Sequence, residues 1–263
     1  MLRISTKIFE LLYIGHAGVL VKYGDVVIAI DPFLSGSFFW NGKENVYKGK
    51  SPWIGREKMD GFVNKYAKDI TAIAITHAHL DHFDPPAIFH LLNKNPDIQI
   101  LAPYPIIDWL KANSSMNPLA TQFLIPVEWL VDYEIESEKN SVHVAIMPNS
   151  GIKEEYHPYR VGYLIFKEDG RGIFHPGDSH EIGPWGKYKD KVTDLVLWNP
   201  KSKYEIVKYF LDDNQLQSLW WVHWEDFTPG NFSCSEDPSE YVIESEKFGI
   251  KSGILDYNKW KSL

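Results

Sequence analysis

Apolar residues in the first part of the chain fall into short runs that stop at small polar groups. Phe9–Ile14, Val19–Tyr23 and Val26–Ile30 are such runs, with Gly24-Asp25 between the second and the third. Runs of this kind around a Gly-Asp pair predict one strand followed by a hairpin. Asp31-Pro32 ends the hairpin. Residues 33–61 break the pattern. Gly, Lys and Asn mix there with Phe38, Phe39, Trp40, Tyr47 and Trp53, the composition of a long loop. Two roles stay open for it: a surface insertion packed by its own aromatics, or a lid over a site. Its Lys43, Lys48, Lys50 and Arg56 suit either solvent or an anionic substrate.

Beyond the loop, Ala72–Thr76 reads as a short buried strand that runs straight into His77. Pro85-Pro86 opens a helix through Leu92, because proline suits a first helical turn. Ile98–Ala102 is a strand and Pro105–Ala112 a helix. Trp129–Ile135 and Ser141–Met147 read as an antiparallel pair, and Arg160–Lys167 with Arg171–Phe174 as a hairpin around Glu168-Asp169-Gly170. A strand at Asp194–Trp198, a helix at Lys203–Leu211, a strand at Leu219–Val222 and a helix at Ser239–Phe248 follow. Hairpins early and strand–helix alternation late predict two sheets covered by helices, an α/β layered fold. No linker and no fixed repeat divides the chain, so residues 1–263 are expected to form one domain.

The composition, 44% hydrophobic and 24% charged over 263 residues, is that of a globular protein and excludes a disordered or coiled-coil chain. The formal charge of −8 argues against a nucleic-acid partner, which needs clustered Lys and Arg. Cys234 is the one cysteine, so no intramolecular disulfide forms, and nothing near it marks a nucleophile. Ile8–Ile14 is interrupted by Glu10 and followed by Gly15, His16 and Lys22, too broken for a signal or spanning segment. The expectation is a soluble cytoplasmic protein with no membrane insertion.

The segment Thr76-His77-Ala78-His79-Leu80-Asp81-His82 carries the chemistry. Histidines two apart in an extended segment point the same way, so His77 and His79 can grip one ion. The chain then turns, and Asp81 and His82 can face a second. Imidazole with carboxylate suits Zn, Fe and Mn and disfavours Mg or Ca.

This His-x-His-x-Asp-His loop resembles the hallmark of the metallo-β-lactamase superfamily. The opening Gly15-His16-Ala17-Gly18 and Asp31-Pro32-Phe33, then Gly172-Ile173-Phe174-His175-Pro176-Gly177-Asp178-Ser179, and finally Trp220-Trp221-Val222-His223-Trp224 extend the likeness over most of the chain. They resemble the branch of ascorbate-6-phosphate lactonase-like proteins and N-acyl phosphatidylethanolamine phospholipase D. The resemblance implies a four-layer αββα sandwich of two mixed sheets flanked by helices. It also implies two divalent metal ions, Zn first and Mn or Fe as alternatives. His77 and His79 would bind one ion, Asp81, His82 and His223 the other, and Asp178 would bridge them.

The implied activity is hydrolysis of a small-molecule lactone, ester or phosphodiester by a metal-activated hydroxide. Asp178 and Asp81 are the implied catalytic residues, Asp178 holding the ions and orienting the hydroxide. The family's third histidine for the first ion is not matched. The chain reads Pro148-Asn149-Ser150-Gly151-Ile152 there, and His157 is the candidate that the following loop can supply. That departure keeps open a non-catalytic or single-metal ligand-binding descendant. A di-iron redox protein is a further alternative, since the same scaffold holds such centres.

Several residues carry two readings. Asp31 either orients a ligand histidine or serves as a turn residue before Pro32. His16 lies near the site or packs in the core, and His180 contacts substrate or faces solvent. His90, His143 and His175 are read as structural, Trp220 as core, and Trp221 or Trp224 as walls of a substrate pocket.

Overall fold

Along β1 (Phe9–Gly15), Phe9, Leu11 and Tyr13 join one buried apolar cluster while Leu12 and Ile14 join another. Side chains of a strand alternate between its faces, so a strand apolar on both is sandwiched between two layers. The computed structural model describes residues 8–40, 42–149, 159–168, 170–179, 181–198, 204–211, 216–223, 227–228, 239–247 and 249–263. In it β1 pairs antiparallel with β2 (Gly18–Tyr23), and β2 with β3 (Val26–Ile30). Then β6 (Ala72–Ala74), β7 (Gln99–Ala102) and β8 (Leu124–Pro126) add in parallel beside β3, and β17 (Lys261–Ser262) closes the other edge.

The second sheet is also mixed. Its antiparallel half is β9 (Asp132–Glu136), β10 (Ser141–Pro148), β11 (Val161–Phe166) and β12 (Gly172–His175). Its parallel half continues from β12 through β13 (Asp194–Trp198) and β14 (Ser218–Val222) to β16 (Lys251–Ile254). The inner faces share one core, in which Val21, Ile28 and Ala74 meet Val144, Ile146 and Ile165. Tyr163 of β11 is buried there and shares its one hydroxyl proton between the carbonyls of Ile75 (2.8 Å) and Leu101 (3.0 Å), tying the sheets together beneath the histidine-rich loop.

Helices cover both outer faces. Phe62 and Val63 of α1 (Arg56–Tyr66), Leu91 of α2 (Pro85–Lys94) and Ile107 of α3 (Tyr104–Ala112) pack on the first sheet. Ile206 and Phe210 of α4 (Tyr204–Leu211) pack on the second, and Val242 of α5 (Ser239–Lys247) reaches the same cluster. The fold is therefore the four-layer αββα sandwich. No helix among the described residues is long and apolar enough to cross a membrane.

Residues 33–61 depart from the loop expectation. They hold a hairpin of β4 (Ser37–Trp40) and β5 (Lys43–Tyr47), and α1 starts within them. β15 (Phe227–Thr228) joins β5 to make a third small sheet. The hairpin closes around Phe33, Phe38, Tyr47, Ile54 and Phe227. Phe227 comes from the far end of the chain, so the local sequence could not reveal this core. Trp221 also departs from expectation. It is 2% exposed, packs under α4 and donates its indole N–H to Ser252 Oγ, so it walls no pocket.

Candidate metal centre

The parallel strands β3, β6, β12 and β14 all point their C-terminal ends to one edge of the sandwich, where ligand sites of α/β sheets form. Asp31 follows β3, His77 to His82 follow β6, Asp178 follows β12 and His223 follows β14. His16 sits in the β1–β2 turn at the same edge. Three of these residues have left-handed backbones: His16 (φ 54°), Asp31 (φ 44°) and His223 (φ 59°). Such conformations are costly away from glycine and collect at functional sites. Gly177 (φ +58°) lets the Asp178 turn approach Thr76. A Cβ there would lie 2.9 Å from Thr76 Cβ.

Two groups of possible ligands result. His16, Asp81, His82 and His223 form one, and His77, His79 and Asp178 the other, with the ligand atoms of each group within 4.8 Å of one another. The structure thus brings His77, His79, Asp81, His82, Asp178 and His223 to one place. His16 stands among them as a fourth member of its group, with Nε2 2.9 Å from Asp81 Oδ2 and its ring 3.7 Å from that of His223. His157 and His180, with Trp224 and Cys234, lie outside the described residues.

Asp31 and Thr76 determine how the histidines face. Asp31 accepts from the Thr76 backbone N–H (2.7 Å), from Thr76 Oγ1 (2.6 Å) and from His82 Nδ1 (2.8 Å). Thr76 Oγ1 has one proton and gives it to the carboxylate, so in its 3.0 Å contact with His77 Nδ1 it is the acceptor. Both imidazoles therefore carry a proton on Nδ1, as assigned from their partners. Their Nε2 atoms face Asp178, His77 Nε2 at 3.4 Å from Oδ2 and His82 Nε2 at 3.2 Å from Oδ1. His77 Nε2, His82 Nε2, Asp81 Oδ1 and Asp178 Oδ1 are buried with no hydrogen-bond partner. Buried lone pairs aimed at carboxylate oxygens repel unless a proton or a cation lies between them. The donor set therefore fits metal ions.

Without a cation, a proton takes up part of that role. Burial opposes charge on His82, but Asp178, Asp81 and Asp31 around it outweigh burial and push its pKa well above the ordinary histidine value. Burial likewise works to raise Asp81 and Asp178. The positive charge of His82 overrides it, and both carboxyls lie well below the usual range. Burial first, then the charge of His223, lowers His16 to about 3, and burial first, then His77 and Arg160, lowers His79 to about 4. Both rings are thus neutral, the form that ligates.

Other residues hold this frame. Asp84 caps α2 by accepting from Ala87 N–H (3.1 Å), and its other oxygen takes the N–H groups of Leu34 (2.8 Å) and Ser35 (2.7 Å). That locks the chain after Asp31 to the chain after His82, on top of about 1 kcal/mol for the cap itself. His175 donates Nε2–H to the Ala17 carbonyl (3.1 Å) and accepts the Gly177 N–H at Nδ1 (3.1 Å). Both its nitrogens are used, so it supports the turn. His143 stacks on Phe166, and His90 pairs with Asp60 on the surface. Phe33 and Phe227 present ring edges to His16. Thr76 and Arg160, 2.9 Å from His79 Nε2, escaped the sequence reading. Thr76 could have been found from its place beside His77, whereas nothing in the spacing marks Arg160.

Residues 29–203 match the family model of the beta-lactamase superfamily domain. Over 256 residues the chain is 22% identical to the N-acyl-phosphatidylethanolamine-hydrolyzing phospholipase D 1 of Caenorhabditis elegans, covering 88% of this chain and 68% of that one. It is 25% identical over 260 residues to a UPF0173 metal-dependent hydrolase of Sulfurisphaera tokodaii, covering 94% of this chain and 96% of the relative. In fold it is similar to a metallo hydrolase of Ignicoccus hospitalis, with a TM-score of 0.69 at 16% identity over 97% of this chain and 98% of the other. With the matched domain spanning both ligand-bearing turns after β6 and β12, this chain belongs to the beta-lactamase superfamily.

Proposed function

We infer that this chain is a metal-dependent hydrolase that works with two divalent cations. His77, His79 and Asp178 would hold one, and Asp81, His82, His223 and His16 the other, with Asp178 shared. The reading is carried by Asp178, whose Oδ2 and Oδ1 each face a buried imidazole lone pair, at 3.4 Å and 3.2 Å. The two curated relatives, one named a phospholipase and one a metal-dependent hydrolase, support it. Cations held there would polarise a carbonyl or phosphoryl oxygen and acidify a bound water toward neutral pH. Around them the protein's own groups orient and exclude. Asp31 and Thr76 fix the tautomers of His82 and His77, and Phe33 and Phe227 keep water from the His16 ring.

The nitrogen-rich donor set favours Zn, with Mn or Fe as alternatives. We assign the substrate to small molecules with a lactone, ester or phosphodiester bond, and the chain to a single catalytic domain working in the cytoplasm. A second reading, with one ion, draws on the group sizes: four residues for the Asp81 group and three for the His77 group among the described residues. The test is exhaustive chelation, elemental analysis and stepwise metal return, with hydrolysis followed on ester, lactone and phosphodiester chromogens. Two bound ions per chain and turnover restored by metal are expected. Turnover that persists in fully metal-free protein would sink the assignment. Retained iron with a visible absorption band and no hydrolysis would move it to a redox role.

A further inference from the structure

Arg160 stands immediately before β11, and its place is fixed by the neighbouring backbone: the Val161 N–H donates to the Thr76 carbonyl at 3.0 Å. Next to it, Gly162 lets the turn leading to Asp178 come close, since a Cβ there would lie 2.8 Å from Pro176 Cα. The side chain, partly buried, turns to the His77 group and sets one guanidinium nitrogen 2.9 Å from His79 Nε2. No ion pair within 4.0 Å joins it to a carboxylate among the described residues; the charges of Asp178 and Asp81 reach it from farther off.

Three roles can be weighed for such a group. A guanidinium has no lone pair to give a cation, so Arg160 cannot replace the third histidine of the first ion. A structural arginine in a partly buried place satisfies its five donors with carboxylates or carbonyls, and among the described residues this one contacts a single ring nitrogen, His79 Nε2. What remains is a donor fork beside the His77 group that can take a ligand. The carboxylates of Asp178 and Asp81 offset part of its charge, and with two cations held beside it an oxyanion of the substrate would offset more. The planar fork matches two oxygens of one oxyanion.

We propose that Arg160 is a specificity-determining residue that receives an anionic oxygen group of the substrate beside the His77–His79–Asp178 cation position. This rests on the hydrolase reading and narrows it: the substrate carries a phosphoryl or carboxylate group next to the bond that breaks. Neutral lactones and simple esters lie outside the preferred class.

The experiment is isothermal titration of zinc-loaded protein with inorganic phosphate and, separately, with acetate, with zinc content measured in each sample. Arg160→Ala is expected to weaken binding of the preferred anion by about tenfold or more at unchanged zinc content, and Arg160→Lys by less, because it keeps the charge and loses the fork. The anion that responds more strongly identifies the group. Equal affinities for both anions in wild type and Arg160→Ala would overturn the proposal. So would loss of zinc in both variants with folded circular dichroism spectra, which would make Arg160 a support for the ion. A protein that binds phosphate through Arg160 yet turns over no ester would keep the anion site and reject the hydrolase reading. An active enzyme whose anion affinity ignores Arg160 would do the reverse.

Discussion

The backbone N–H of His223 donates to the carbonyl oxygen of His16 at 2.6 Å. The two residues come from opposite ends of the chain, and both hold left-handed backbones, φ 59° and 54°. The Tyr13 hydroxyl donates to the same carbonyl at 2.8 Å. This bond closes the edge of the sandwich between β14 and the β1–β2 turn, and it sets a histidine from the first strand pair beside one from the end of β14.

Asp178 belongs to the His77 group and also sets its Oδ1 3.2 Å from His82 Nε2 of the other group. Asp178→Asn keeps the shape, removes the charge and leaves one oxygen where two cations would each take one. Elemental analysis of the purified variant is expected to show fewer ions per chain than wild type, with hydrolysis reduced by about a hundredfold or more. Full metal content and full activity would exclude a shared role.

Asp31 acts on His82 from behind. Asparagine tolerates the left-handed backbone at this position, so Asp31→Asn tests the carboxylate without backbone strain. It weakens the acceptor for His82 Nδ1–H and for Thr76. Metal affinity, read by competition with a chromogenic chelator, is expected to fall by about 10- to 100-fold.

Metal-free protein should lose stability as pH falls below the ordinary histidine value. The His16 pKa is depressed to about 3 by burial and by His223. Between the unfolded value of 6.5 and about 3, the unfolded chain therefore takes up a proton at this ring that the folded one does not. The stability is present above the unfolded value and is lost as pH falls. At about pH 5 the loss from this ring is on the order of 2 kcal/mol. His79, His77 and His175 shift the same way, all through burial first, and His82, raised by its carboxylates, opposes them. Thermal melts of chelator-treated protein at pH 7.5 and 5 read the net sign, and a higher midpoint at pH 5 would contradict it.

Gly177 tests the packing of the Asp178 turn. Gly177→Ala forces a Cβ to 2.9 Å from Thr76 Cβ at a φ of +58°. A loss of about 1–3 kcal/mol in denaturant unfolding is expected, because strain and crowding add. Metal content should fall as well, since Thr76 holds Asp31 and His77.

Most strands of the two sheets, the helices opening near Pro85-Pro86 and Pro105, and the histidine-rich turn were legible locally, because apolar runs, a proline in a first helical turn and ligand spacing are properties of adjacent residues; β8, β16 and β17 were not. The sequence also placed Asp178 and His223 after strands. Their distance from His77 and His82 followed only once two sheets had aligned their C-terminal ends at one edge. The hairpin inside residues 33–61 was hidden because its core borrows Phe227. His16 joined the Asp81 group, and Arg160 came to His79, through strand-end geometry that leaves no spacing signature. What the sequence determined by itself was therefore the kind of chemistry the chain can hold, since ligand type and local turn are encoded side by side. Which possible ligands group together, and which charge lies beside them, was decided by tertiary structure, because those pairings depend on burial and on strands far apart in the chain.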